Sequence, residues 1–135
     1  MRIIRAGERA TQRAEAAYFA GDVIIEPVLV APEPASLRAL VVTFLPGGRT
    51  HWHHHVMGQT LYVTSGIGRI RMEGGPLHEI RAGDTVWIPP GVVHWHGAAP
   101  DHAMSHIAMQ EEPEGRVTTW LGPVEEADYT AAPEG

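Results

Sequence analysis

Short apolar runs, each closed off by glycine or proline, follow one another along this chain, and helical periodicity is scarce. Such runs are too brief for helices and suit the strands of an antiparallel barrel or sandwich, so the expected class is all-β. The predicted strands are Val23 to Val30, Leu37 to Leu45, Thr60 to Ser65, Gly68 to Glu73, Leu77 to Ile80, Thr85 to Ile88, His94 to Gly97 and Met104 to Gln110, with a weaker one at Val117 to Trp120. Helices are expected only at Glu8 to Tyr18, rich in Ala, Arg and Glu, and near Val124 to Tyr129, where Pro123 suits a first turn. With 135 residues, 44% of them hydrophobic, the chain can bury one core and hardly two, so residues 1–135 are expected to form one domain.

On that β framework the histidines are unevenly placed. Gly47-Gly48-Arg49-Thr50-His51-Trp52-His53-His54-His55 carries four of the nine, embedded between a glycine turn and a strand, unlike a terminal purification tag. In an extended strand alternate side chains share a face, which puts His53 and His55 together and turns His54 away. Gln59 follows a short break and can return an amide oxygen to the same side. The Pro89-Pro90-Gly91 corner reverses the chain and brings His94 back opposite the pair. Neutral imidazoles converging in this way can grip a divalent ion. His54, His78 and His102 are read as surface or loop histidines.

Two spaced patterns carry a resemblance. Gly47-x5-His53-x-His55-x3-Gln59-x6-Gly66 resembles the first motif of the cupin superfamily, with Gln in place of the usual Glu. Gly83-x5-Pro89-x-Gly91-x2-His94 resembles the second, with Ala98 in place of the final Asn. The resemblance implies a jelly-roll barrel, with a core over about 23–120 and short terminal extensions. Gly58-Gln59-Thr60-Leu61, Gly83 to Trp87, His94 to Pro100 and Ala103 to His106 further resemble the small bacterial monocupins that include manganese-dependent hydroxynitrile lyases. What this implies is a metal held by His53, His55, Gln59 and His94, proton transfer by His106, and His96 close to the metal. The implied ion is manganese, with Fe, Ni, Co and Zn as alternatives. Leu40 is bulkier than the small residue expected at that pocket wall.

Strand parity sketches the pocket. His96 shares the face of His94, with Trp95 outside the barrel, and His106 shares its face with Met104, Ala108 and Gln110. Leu40, Val42 and Phe44 form an inward set, and Leu61 and Val63 add to it, giving an apolar cavity with a few polar groups for a small-molecule substrate. Three imidazoles and a carboxamide leave a dication its full charge, which favours polarising a hydroxyl or carbonyl oxygen. The resemblance to the hydroxynitrile lyases implies cleavage and formation of cyanohydrins as the expected activity, with a metal-dependent dioxygenase or a non-catalytic metal- or small-ligand-binding protein as alternatives. An isomerase or decarboxylase acting on a carboxylate would want an inward arginine, for which Arg49 and Arg71 are the local candidates.

Other classes are excluded by composition. The absence of cysteine removes disulfides, thiolate ligands and a cysteine nucleophile, and the absence of lysine removes Schiff-base chemistry at a side chain. A net charge of -6 without a basic run argues against nucleic acid. No stretch reads as a secretory signal or a membrane span, so a cytoplasmic setting is expected. Self-association as a homodimer or higher homo-oligomer is expected from the need to cover an edge strand, for which Arg2 to Arg5 is a candidate.

Overall fold

The computed structural model describes residues 1–134. In chain order its elements are β1 (Gln12–Arg13), β2 (Phe19–Ala20), β3 (Val23–Val30), β4 (Leu37–Phe44), β5 (Arg49–Thr50), β6 (His53–His54), β7 (Gln59–Met72), β8 (Leu77–Arg81), β9 (Thr85–Ile88), β10 (His94–Ala98), β11 (Met104–Glu111), β12 (Thr119–Trp120) and α1 (Glu126–Thr130), with a 3-10 turn at Pro113–Gly115. Every strand pairing is antiparallel. One sheet follows β1-β3-β4-β11-β7-β9, and the other is built on the second half of β7, with β8 on one edge and β10 on the other. Beyond β10 that sheet continues through β5 to β2 and through β6 to β12. Because β7 belongs to both sheets, they curl into a β-barrel, the architecture expected from the sequence.

The sequence predicts two strands where β7 is one. Opposite β11, Ser65 pairs with Ser105 and Val63 with His106, which leaves Thr64 as a bulge, its hydroxyl donating to the Ser105 carbonyl at 3.2 Å. An inserted residue switches the face that later side chains take. The buried positions of β7 accordingly run Gln59, Leu61, Val63 before the bulge and Gly68, Ile70 after it. Gly66 completes the bend at φ 80°, and a Cβ there would run into the Ala103 carbonyl. The bulge lies on β7, so β11 keeps its alternation and buries Met104, His106, Ala108 and Gln110.

The helix expected over Glu8 to Tyr18 is absent. Gln12 and Arg13 instead pair with Ile25 and Ile24, and Glu15 starts a turn that brings Phe19 beside Thr50. Ala, Arg and Glu favour helix only weakly, and this segment has no apolar stripe of helical period to bury, so pairing with the β3 edge prevails. The C-terminal helix begins at Glu126, two residues later than expected, and β12 is shorter than predicted.

Val23, Val42, Phe44, Leu61, Val63, Ile70, Ile80, Ile88, Met104 and Ala108 form the main core. A second cluster on the outer face of β10 joins Leu77, Trp95, Val124 and Tyr129. Trp95 does point away from the barrel interior, yet it is fully buried beneath the C-terminal segment. Tyr129 locks that cover by donating from its hydroxyl to the Ala98 carbonyl at 2.6 Å, with the Arg49 guanidinium stacked 4.0 Å from its ring centre. No described helix is long and apolar enough to cross a membrane.

Gly66→Ala combines a strained φ with a backbone clash, and the expected loss of unfolding free energy exceeds about 1 kcal/mol, the scale of a compatible Gly-to-Ala gain taken with opposite sign. Chemical denaturation of the two proteins measures it.

Candidate metal centre

Strand register places the donors. His53 on β6 lies directly opposite His94 on β10, and β10 also carries His96. Gln59 opens β7, opposite Ile88, and His55 follows β6 in a connection whose carbonyl accepts from the Gly58 and Gly91 amides. All five side chains are buried. The His53 ring centre stands 4.2 Å from that of His94, 5.1 Å from His55 and 5.3 Å from His96.

Each of three rings has its Nδ1 tied to an oxygen. His53 Nδ1 is 2.9 Å from the His51 carbonyl, His94 Nδ1 is 2.9 Å from the Val92 carbonyl, and His55 Nδ1 is 3.1 Å from the Thr118 hydroxyl. A carbonyl can only accept, so in His53 and His94 the proton sits on Nδ1 and the Nε2 lone pair is free. That is the outer-shell arrangement of metal-ligating histidines. Gln59 Oε1 approaches His94 Nε2 at 3.3 Å, and the buried Nε2 of His55 has no partner. His53, His94 and His96 can bring one nitrogen each within 4.8 Å of one another. His96 differs from the other rings in that its Nδ1 meets another imidazole, His106 Nε2, at 2.9 Å. Its own Nε2 is buried and unpartnered.

Burial holds every one of these rings neutral. Desolvation lowers His55, His94 and His106 to about 4, and lowers His53 and His96 well below the ordinary value, with neighbouring imidazoles adding to the effect on His53 and His96. Neutral, converging and partly unpartnered, the three-histidine cluster fits a divalent metal.

The centre opens onto a cavity of about 590 Å³ whose wall includes Ile25, Leu40, Val42, Ala108, Gln110 and Trp120 together with His53, His55, Gln59 and His96. Of the side chains predicted to line it, Phe44, Leu61 and Val63 do not; all three are fully buried in the core, and Phe44 meets the His96 and His106 rings edge-on. His106 is likewise not part of the wall and stands behind His96. Inward parity gives a direction, and whether a side chain reaches open space depends on how deep its strand position lies.

Arg49 and Arg71 face the C-terminal segment, pairing with Glu126 and Asp128, and neither borders the cavity. The arginines on its wall are Arg13 and Arg38, which the sequence reading missed along with Glu112 and Thr118. Arg38 shares the alternation of Leu40 and Val42, and Glu112 that of Gln110, so parity carried a signal for both. Thr118 lies in coil and left none.

A curled antiparallel barrel holding a buried ring of neutral histidines over an apolar cavity defines a class, the small metal-ready β-barrels. The model of the cupin domain family matches residues 40–109, and the chain belongs to the cupins. It is 47% identical over 129 residues to an (R)-mandelonitrile lyase of Granulicella tundricola, covering 96% of this chain and 98% of that protein. A cupin-like protein of Thermotoga maritima is 42% identical and superposes with a TM-score of 0.84, covering 91% of this chain and 93% of that one. A cupin-2 domain protein of Rhodospirillum rubrum shares the fold at 18% identity and a TM-score of 0.72, over 94% of this chain and 82% of that one.

The buried histidines make the metal-free protein sensitive to acid. Between pH about 6.5 and about 4 the unfolded chain binds protons on these rings and the folded chain does not, so stability rises with pH across that window. The melting temperature of chelator-treated protein is expected to be highest above pH 6.5 and to fall steadily as pH drops toward 4; a flat profile would mean the rings are not neutral in the fold.

Proposed function

We propose that this cupin is a divalent-metal-dependent lyase that cleaves and forms cyanohydrins, with manganese as the resident ion held by His53, His55, Gln59 and His94. The observation that carries the reading is the division of labour among the imidazoles. Three have Nδ1 anchored on oxygen, whereas His96 is paired with His106 and turns an unpartnered nitrogen from the cavity wall. The near full-length similarity to an (R)-mandelonitrile lyase supports the substrate class. A bound divalent ion supplies Lewis acidity toward an oxygen that becomes anionic.

The chain's own residues account for the proton. With His96 Nδ1–H donating to His106 Nε2, His96 Nε2 carries a lone pair and can take the hydroxyl proton of a cyanohydrin. The carbon–cyanide bond then breaks with its electron pair leaving on cyanide, a carbonyl forms, and the proton returns to give hydrogen cyanide. Transfer of the shared proton to His106 spreads the positive charge over two rings, which lowers the cost of charging a buried imidazole. The wall formed by Ile25, Leu40, Val42 and Trp120 receives the organic substituent and excludes water, and Gln110 offers an amide to the nitrile or carbonyl.

His53→Ala is expected to lose both metal and activity. His106→Ala is expected to keep its metal and lose turnover by about 100-fold or more, the contribution of a positioned acid–base group. Elemental analysis beside a mandelonitrile cleavage assay reads both variants, and a fully active His106→Ala protein would sink the proton-transfer role.

A further inference from the structure

The hydrogen bonds around Gln59 run in one direction. Gln59 Nε2 donates to Gln110 Oε1 at 3.1 Å, and Gln110 Nε2 donates to Glu112 Oε2 at 3.0 Å. Arg38 stands 3.6 Å from the other oxygen of Glu112, whose side chain is only 12% exposed. An ionised carboxylate can only accept, so it selects the NH2 end of the Gln110 amide. The Gln110 oxygen is then turned to Gln59 and selects the NH2 end of that amide in its turn. What remains for the histidine centre is Gln59 Oε1, 3.3 Å from His94 Nε2. Were the carboxylate absent, both amides could turn over, and a reversed Gln59 would present an NH2 group that has no lone pair to offer a cation.

We propose that Glu112 is a positioning residue: through Gln110 it holds the Gln59 amide oxygen toward the His53, His55 and His94 centre, and so allows a neutral glutamine to serve as a ligand. The proposal rests on the metal-binding reading above. It also explains a polarity in the site. A glutamate at position 59 would set an acceptor against Gln110 Oε1 while Glu112 already holds Gln110 Nε2, leaving two carboxylates to compete for one amide NH2. Glu112 therefore favours glutamine at position 59 and opposes glutamate there.

Calorimetric titration of Mn2+ into the chelator-treated full chain, with the bound fraction followed by electron paramagnetic resonance, tests the relay. Glu112→Ala is expected to weaken Mn2+ binding by about 10–100-fold, the usual range for loss of a partner that orients a metal ligand. Glu112→Gln can still accept from Gln110 and is expected to retain most of the affinity. In a Gln59→Glu background the sign reverses, so that adding Glu112→Ala leaves Mn2+ binding unchanged or tighter. Glu112→Ser stands in for the alanine variant should that one fail to fold, as judged by its melting curve. Wild-type affinity in both truncations would overturn the proposal, as would an equal loss in Glu112→Gln, which would reduce the effect to net charge, or an equal loss in the Gln59→Glu background. An unsubstituted chain that binds no Mn2+ would instead remove the metal-binding reading, and this proposal with it.

Discussion

The antiparallel register that sets His53 opposite His94, and the oxygens that grip the far sides of their rings, are what the centre depends on. A buried imidazole without partners costs free energy, and several crowded together would normally be selected against. Here the cost is offset on one edge of each ring by a hydrogen bond, which leaves the opposite nitrogen aimed where the rings converge. The same bonds remove rotational freedom, so the donors are arranged before any ligand arrives.

The barrel serves that arrangement from both faces of β10. Inside, His94 and His96 border the centre; outside, Trp95 lies beneath Tyr129, Val124 and Leu77. A short strand buried on both faces has little room to shift, and the Tyr129 hydroxyl on the Ala98 carbonyl ties its end to the C-terminal helix. The terminal extension is thus part of how the histidines are held, although it contributes no side chain to the cavity wall. The bulge at Thr64 has a comparable effect on β7, allowing Gln59 and Ile70 to be buried from opposite parities of one strand.

Around the centre the polar groups form two chains that run away from the metal-ready core. One passes from His96 to His106 and ends at a buried, unpartnered nitrogen. The other passes from Gln59 through Gln110 and Glu112 to Arg38 and ends near the cavity rim. The first can store or move a proton because imidazole nitrogens exchange donor and acceptor roles. The second cannot, since amides keep their protons, and its effect is orientation alone. Chemistry and positioning are in this way separated by the type of side chain present.

Much of the barrel, and the convergence of His53, His55, Gln59 and His94, could be read from the chain, because strand alternation and glycine or proline corners act over a few residues and leave a periodic trace. His96, His106 and Gln110 were legible for the same reason, and Arg38 and Glu112 lay on the same alternation. Depth was not legible. That Phe44 and Leu61 lie in the core while His96 reaches the cavity, that Trp95 is covered, and that Glu8 to Tyr18 completes a sheet edge were settled by contacts between residues far apart in sequence. Local pattern determines which way a side chain points, but only the closed barrel decides what it meets there, since burial and hydrogen-bond partners come from other strands.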